Sequence, residues 1–127
     1  KMLVNTCGVY VTDSAYRIKM KKNYSIKNLV YSFYNTYTLL MAEIMGRSYG
    51  GGVLELTPNE FKSLPIIYIE GEINFNKFSC LFNAKNDIND ILQKNDEIIL
   101  KSKLDLTVEE IKILHNAYDK IKKRRIS

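Results

Sequence analysis

The chain has 127 residues and is 46% hydrophobic, which suits one domain with a hydrophobic core and excludes a large catalytic domain with accessory domains. Its net charge is +5, and the whole excess lies in residues 1–52, which carry seven Lys and Arg against two Asp and Glu. A basic surface favours polyanionic partners, above all nucleic acid, although the same charge can serve only to solvate a protein.

The cysteines and the single histidine give no sign of a metal centre. Cys7 and Cys80 form no CxxC pair, and His115 lies far from metal-ligand spacing to either of them. We therefore expect free thiols, a cytoplasmic location and no metal. No run of about 18 apolar residues occurs, so no membrane span is predicted. Because the chain opens on Lys1 inside a strand-like pattern, we expect it to be a fragment of a longer protein.

The first 25 residues predict strands. Residues 2–6 and 8–12 are strand-like, and in residues 15–22 apolar side chains alternate with the cations Arg17, Lys19 and Lys21. One face of this third strand would be core, and the other face would be basic.

A long helix follows. Ser25 is a candidate N-cap, and residues 26–45 carry apolar side chains at helical spacing on two sides, which predicts one largely buried helix. Gly46 stands where a helix commonly stops.

The remainder predicts two more strands and several helices. Residues 53–57 and 66–72 are strand-like, and we expect the strands of residues 1–20 and 53–70 to share a sheet. Between them, Thr57 to Glu60 forms a capping box at the start of a short helix that must end before Pro65. Residues 87–124 predict two helical pieces, the second opened by a capping box from Thr107 to Glu110.

Four of the six glycines lie between Gly46 and Gly52, between two apolar segments. A dinucleotide site requires GxGxxG leaving a strand and opening a helix, and a P-loop requires GxxxxGK(S/T); neither pattern is present. One interpretation is a tight turn that needs positive φ. The other is a flexible backbone at Gly50 and Gly51 that approaches DNA closely, beside the phosphate- and base-binding residue types of Arg47, Ser48 and Tyr49.

The run "FYNTYTLLMAEIMGRSYGGGVLELTPNEFKSLPI" resembles the segment near the C-terminus of many bacterial adenine-N6 DNA methyltransferases of restriction-modification systems. In those enzymes a long helix ending in a glycine-rich loop leads into a strand, a short helix and a proline. The run "VYVTDSAYRIKMK" is similar to the strand ahead of that helix, and residues 87–125 resemble the helical tail. The most specific parts are the glycine-rich loop and the TPNE turn.

The resemblance implies an α+β fold, with a small sheet packed on a long buried helix and a C-terminal helical hairpin or tail. Residues 1–73 would form a target-recognition segment, and residues 74–127 a helical tail packed on it. The family transfers a methyl group from S-adenosylmethionine to adenine in double-stranded DNA, with the target base flipped out. The glycine-rich cofactor-binding motif and the (D/N)PP(Y/F) tetrapeptide are both missing from the sequence, so we expect no catalytic residues and no cofactor here.

The predicted partners are therefore double-stranded DNA and the catalytic domain of the parent chain. The residues predicted to bind DNA are Arg17, Lys19, Lys21, Arg47, Ser48, Tyr49, Gly50 and Gly51. The alternative is a protein-interaction domain, in which the helical tail docks on a catalytic domain or partner subunit and the basic segment is only solvated.

Other residues have ordinary structural interpretations. His115 is expected at a surface or boundary position without a nucleophile. Asp87 and Asp90 suit the first turn of a helix, where acids favour the dipole, better than a metal site. The basic residues 120–125 are expected to complete the dipole of the final helix.

Overall fold

The computed structural model describes residues 1–13, 15–83 and 86–127. The elements follow one another as α1 (Ile26–Phe33), α2 (Thr36–Met45), β1 (Arg47–Tyr49), β2 (Val53–Glu55), α3 (Pro58–Ser63), α4 (Phe75–Asn83), α5 (Ile88–Asp96), a π-helical turn (Glu97–Lys101), α6 (Ser102–Leu104) and α7 (Val108–Ile126). The fold is α+β, as predicted, and its described sheet is a two-stranded antiparallel hairpin. None of the described helices is long and apolar enough to cross a membrane.

The predicted helix over residues 26–45 is two helices, so the expectation of one continuous helix was wrong. The side chain of Asn35 caps α2 by accepting a hydrogen bond from the Thr38 amide at 2.9 Å, and it donates to the Ser32 carbonyl at 2.7 Å. Asn35 is fully buried, and these bonds satisfy its polar atoms at the break. Apolar spacing continues through both helices, which is why periodicity alone did not reveal the boundary.

The strands predicted ahead of α1 and over residues 66–72 were also wrong, because no described residue there belongs to a sheet. Instead, side chains of α1 and its C-cap Tyr34 form hydrogen bonds with backbone groups of Met2 and Ile69 in these two segments. The Tyr34 hydroxyl accepts from the Met2 amide at 3.0 Å and donates to the Met2 carbonyl at 2.9 Å. Ser32 accepts from the Ile69 amide, and Asn28 donates to the Ile69 carbonyl, both at 2.9 Å. Buried backbone must be paired, and here side chains replace the neighbouring strand.

The core lies between α1, α2, α4, α5 and the π-helical turn. Its most enclosed side chains are Leu92, Ile99 and Leu100, each with no exposed surface. Aromatic rings join α1 to α4, with Tyr31 and Phe78 edge to face at 5.1 Å between centroids. This geometry adds a modest attraction to the burial of the rings.

The C-terminal part follows the prediction closely. Residues 88–104 form one helical piece through α5, the π-helical turn and α6, and α7 forms the second. Both predicted capping boxes are present, at Thr57 with Glu60 and at Thr107 with Glu110. α7 packs mainly against α2. The division of the chain at residue 73 stays a prediction.

Candidate functional site

The glycine-rich segment is the turn of the β1–β2 hairpin. Arg47 pairs with Glu55, Ser48 with Leu54 and Tyr49 with Val53. Between the strands, Gly51 and Gly52 have φ of +82° and +74°, a conformation that a side chain would disfavour. The prediction of a turn that requires positive φ is therefore confirmed at these two positions.

The hairpin presents one face to solvent and the other to the core. Successive side chains of a strand point to opposite faces, so Arg47 and Tyr49 share a face with their partners Glu55 and Val53. Leu54 lies on the opposite face and packs against the core. Tyr49 keeps 51% of its surface exposed and Val53 keeps 57%. The outer face of the hairpin thus combines an aromatic ring, a cation and a carboxylate.

Gly46 ends α2 as predicted, but the reason is the lack of space for a side chain and not the left-handed conformation that is usual at helix ends. Its φ is −78°, so it does not need the left-handed conformation. A Cβ on Gly46 would lie 2.7 Å from the Ala42 carbonyl oxygen and 2.8 Å from the Leu54 side chain. The missing side chain lets the base of the hairpin lie directly on the end of α2.

Arg47 is held by Glu60 at the start of α3. Its Nε donates to Glu60 Oε1 at 2.9 Å, and the two side chains are 62% and 20% exposed. The pKa of Arg47 is raised by this carboxylate. The pKa of Glu60 is lowered first by the Thr57 amide and then by Arg47. An exposed pair of this kind contributes little to stability, so Arg47 can leave it at small cost.

The basic segment ahead of α1 meets the hairpin at Tyr16. The Tyr16 hydroxyl donates to Glu55 Oε1 at 3.3 Å, and its pKa is raised by desolvation and then by this hydrogen bond. The predicted strand is absent, and Tyr16 and Ile18, expected in the core, are 55% and 37% exposed. Arg17 directly follows Tyr16 and therefore lies close to the hairpin.

All eight residues predicted to bind DNA are exposed. Among the described residues, Arg17, Lys19 and Lys21 form no ion pair, in contrast to Arg47. The Tyr16–Glu55 hydrogen bond thus joins the segment that carries Arg17, Lys19 and Lys21 to the hairpin. The role of all eight residues in DNA binding stays a prediction.

Sequence reasoning missed Arg125, which was assigned only to the dipole of the last helix. Its guanidinium donates two hydrogen bonds to Glu43 of α2, each at 2.7 Å, and a third to the Gly52 carbonyl in the hairpin turn. A signal did exist in the sequence. Glu43 is the one charged residue of α2, and a buried carboxylate requires a partner.

A second polar cluster is buried away from the hairpin. Thr36 donates to Asp96 through its amide at 2.8 Å and through its hydroxyl at 2.6 Å, and the hydroxyl lies 3.1 Å from His115 Nδ1. Burial raises the pKa of Asp96, against the opposing effect of the Thr36 hydrogen bonds. Thr36 has no exposed surface and Asp96 is 2% exposed, so a substrate does not reach the hydroxyl, and the hydrogen bonds fix the start of α2. The predicted boundary position of His115 is confirmed.

The described residues also hold no candidate metal centre. No three His, Cys, Asp or Glu side chains within residues 1–13, 15–83 and 86–127 are grouped to bind an ion. Asp87 is the N-cap of α5 and accepts from the Asn89 amide at 3.2 Å, and Asp90 lies in the first turn. Asp90 thus lies in the first turn as predicted, and Asp87 lies just before that turn as its cap.

Comparison with known proteins agrees with the sequence resemblance. Residues 1–100 match the family model described as "Type II methyltransferase M.Eco57I, C-terminal domain". The matched residues include the hairpin and end inside the π-helical turn, so α7 lies beyond them. No curated protein and no solved structure matches the chain. Since the match spans most of the sequence, the chain belongs to the family of the C-terminal domain of the Type II methyltransferase M.Eco57I.

Proposed function

We propose that this chain is a DNA target-recognition domain of a restriction-modification methyltransferase that acts on adenine N6. The observation that carries the proposal is the exposed junction of hairpin and basic segment, where Tyr16 bonds to Glu55. Family membership supports the methyltransferase context. The catalytic domain of the same protein and double-stranded DNA are the proposed partners, and the proposed location is cytoplasmic.

The charges at this junction suggest two kinds of DNA contact. Arg17, Lys19 and Lys21 are exposed cations without acidic partners among the described residues, which suits contact with phosphates. The hairpin face instead mixes Arg47 with Glu55 and Glu60. Carboxylates repel phosphates, but they can accept a hydrogen bond from the amino group of cytosine, just as arginine donates to guanine. The basic segment would therefore supply affinity and the hairpin would supply sequence choice.

The pairing of Arg47 with Glu60 suits such a reader. Without DNA, Glu60 holds the guanidinium in place at 2.9 Å. When Arg47 turns to a base, Glu60 keeps its 2.8 Å hydrogen bond from the Thr57 amide, so the carboxylate is not left unpaired. The exchange therefore costs little in the protein, while a bidentate arginine contact discriminates between bases.

The residues of this chain do not fit S-adenosylmethionine. The glycine-rich turn joins two antiparallel strands, whereas a cofactor site of the nucleotide-binding type places such a turn between a strand and a helix. We assign methyl transfer to the catalytic domain of the parent enzyme and derive no chemical step here. Calorimetric titration of the chain with S-adenosylmethionine is expected to show no one-to-one binding in the micromolar range.

The experiment compares single substitutions in the full-length protein that carries this chain. Arg47→Ala is expected to weaken binding to the preferred site by about 1–3 kcal/mol and to relax choice at one base pair. Arg17→Ala and Lys19→Ala are expected to lower affinity for all duplexes alike, with log K less steep against log salt by about 0.9 for each phosphate that the variant no longer neutralises. Lys94→Ala, at an exposed position on α5, is the matched control.

Binding is measured by fluorescence anisotropy over a salt series, with circular dichroism to verify the fold. If Arg47, Tyr49, Arg17 and Lys19 can each be replaced without changing affinity or site preference, the hairpin is only a structural turn. The interaction-domain alternative would then hold.

One observation favours that alternative. An apolar groove of about 430 Å³ lies between α2 and the C-terminal helices, lined by Tyr37, Leu104, Leu106, Glu110, Ile113 and Leu114. Ile113 is 66% exposed, so this surface suits docking against the catalytic domain. Ile113→Asp would then weaken association of the two domains without changing the salt dependence of DNA binding.

A further inference from the structure

The hairpin is anchored at both ends by elements outside it. At its base, the absent side chain of Gly46 allows contact with α2, where a Cβ would lie within 3.0 Å of the Ala42 and Glu55 carbonyl oxygens. At its turn, a Cβ on Gly52 would lie 3.5 Å from the Ile126 Cα, so the last turn of α7 lies against Gly52. A two-stranded hairpin alone is marginally stable in water, and these anchors restrict its orientation.

Arg125 joins the two anchoring helices to the turn. Its side chain is 13% exposed and that of Glu43 is 4% exposed. Nε and Nη2 bond to the two carboxylate oxygens of Glu43, and Nη1 donates to the Gly52 carbonyl. Each of the three nitrogens of the planar guanidinium thus donates one hydrogen bond. A lysine ammonium carries the same charge but cannot reproduce this planar fork.

Stability alone does not explain the cluster. The gain from a buried ion pair is largely offset by the loss of hydration, and apolar residues of similar size often serve as well. What the cluster does supply is direction, because a bidentate pair fixes the guanidinium plane, and the third bond then fixes the carbonyl at the turn. Val53 follows that carbonyl directly and pairs with Tyr49.

We propose that Arg125, held by Glu43, is a positioning residue that sets the orientation of the hairpin for reading DNA sequence. The proposal rests on the function proposed above. In this proposal Arg125 touches no DNA, because its side chain is only 13% exposed and three of its five N–H donors bind inside the protein. Its loss would therefore reduce sequence discrimination and leave the sequence-independent attraction to DNA unchanged.

The test uses the full-length protein with Arg125→Lys, and Arg124→Lys as the matched control, since Arg124 is the exposed neighbour on the same helix. Both substitutions preserve charge. The preferred site is obtained by selection from random duplexes with the wild-type protein, and affinities are then measured for that site and for random duplex DNA. Arg125→Lys is expected to lower the ratio of the two affinities about tenfold, a loss equal to that of one good base contact. Affinity for random duplex should change less than about twofold.

A second readout follows the hairpin without DNA. Hydrogen exchange of the amides in residues 47–55 is expected to become faster in Arg125→Lys and to stay unchanged in Arg124→Lys. Glu43→Gln removes the charge of the partner and keeps an acceptor, so it should give a smaller change in the same direction. It also provides a second variant in case Arg125→Lys does not fold.

The outcomes separate the two proposals. If the wild-type protein shows no affinity for duplex DNA, the proposed function fails, whatever hydrogen exchange shows. If the wild-type protein discriminates between sites and Arg125→Lys discriminates equally well, the positioning role is wrong and the proposed function survives. Equal losses of affinity for the preferred site and for random duplex would also overturn the inference, because they would show that Arg125 affects DNA binding in general and not the choice of sequence.

Discussion

The helices of the core bury many of their apolar residues, whereas the segment ahead of α1 leaves most of its apolar residues exposed, with Met2 as a buried exception. In α5 and the π-helical turn, Leu92 and Leu100 have no exposed surface, whereas Leu3 is 71% exposed and Tyr10 is fully exposed. A helix forms its backbone hydrogen bonds internally, so it only needs other elements to pack against its apolar face. A strand-like segment needs a neighbouring strand, and the described residues of the first segment have none. Burial therefore depends on how the backbone is paired as much as on side-chain type.

The largest test of this difference compares two identical substitutions. Leu92→Ala is expected to lower the free energy of unfolding by about 2–5 kcal/mol, because it leaves a cavity in a closed core. Leu3→Ala, at an exposed position, should stay within about 0.5 kcal/mol of wild type. Chemical denaturation of both variants gives the two values. Equal losses would show that the first segment is as well packed as the core.

A second comparison concerns buried and exposed acids of α5. Asp96→Ala leaves the Thr36 amide without an acceptor, whereas His115 Nδ1, at 3.1 Å, stays as a partner of the Thr36 hydroxyl. We therefore expect a loss of about 1–3 kcal/mol from one unpaired buried donor. Asp90→Ala, at an exposed position in the first turn, should cost less than about 1 kcal/mol, the usual size of a dipole interaction. The same denaturation assay measures both. A small loss for Asp96→Ala would mean that water replaces the carboxylate.

The two ends of the hairpin provide a third comparison. Gly46→Ala places a Cβ 2.7 Å from the Ala42 carbonyl oxygen, and relieving that clash should cost about 1–3 kcal/mol. Gly50→Ala meets no atom within 4 Å and needs no positive φ, so its effect should be within about 0.5 kcal/mol. Thermal unfolding of both variants decides. If Gly46→Ala leaves the stability unchanged, the base of the hairpin can shift on α2 enough to make room for the added methyl group.

The smallest expected effect is a dependence on pH. Hydrogen bonds from the Thr57 and Thr107 amides lower the pKa of Glu60 and Glu110 below the ordinary value of 4.5. Lowered folded-state pKa values give stability that is complete above pH 4.5 and is lost as the pH falls through the folded values. Glu60→Gln with Glu110→Gln should therefore flatten the acid side of the curve of melting temperature against pH. An unchanged acid side would assign the loss to other carboxylates.

Asp96 should act in the opposite direction. Its pKa is raised by burial above the ordinary value of 3.8, so its contribution is complete below pH 3.8 and is lost as the pH rises through the folded value. Within the acid range, the buried acid and the exposed acids thus give slopes of opposite sign.

Short sequence motifs correctly predicted the caps and turns that are formed by residues close together in the sequence. The Thr57 and Thr107 capping boxes and the glycine turn each depend on residues within a few positions, and the sequence was sufficient for these elements. The break at Asn35 was missed because apolar spacing outweighed a capping residue. Asn35 followed by Thr36 is a recognisable helix start, so this boundary could have been predicted.

The remaining errors come from contacts between distant residues. The amide and carbonyl of Met2 bond to Tyr34, and those of Ile69 bond to Ser32 and Asn28. These pairings are specific to the folded arrangement, and a strand pattern does not distinguish them from a sheet. Arg125 belongs to the same class, because Glu43 lies 82 positions away. In the candidate site, the residue types were therefore predictable and their supports were not.

The π-helical turn affects the direction in which buried side chains point around the helix axis. The buried positions of this helix come in pairs four residues apart: Ile91 and Leu92, Asn95 and Asp96, Ile99 and Leu100. In a regular α-helix, four residues rotate about 40° beyond a full turn, so the third pair would have turned about 80° away from the first. The π-helical turn has a longer hydrogen-bond spacing and more residues per turn, so it reduces this angle and keeps the third pair on the buried side. Deleting one residue there, such as the half-exposed Ile98, would let a regular helix form but would swing Leu104 and Leu106 around the axis and away from the apolar groove.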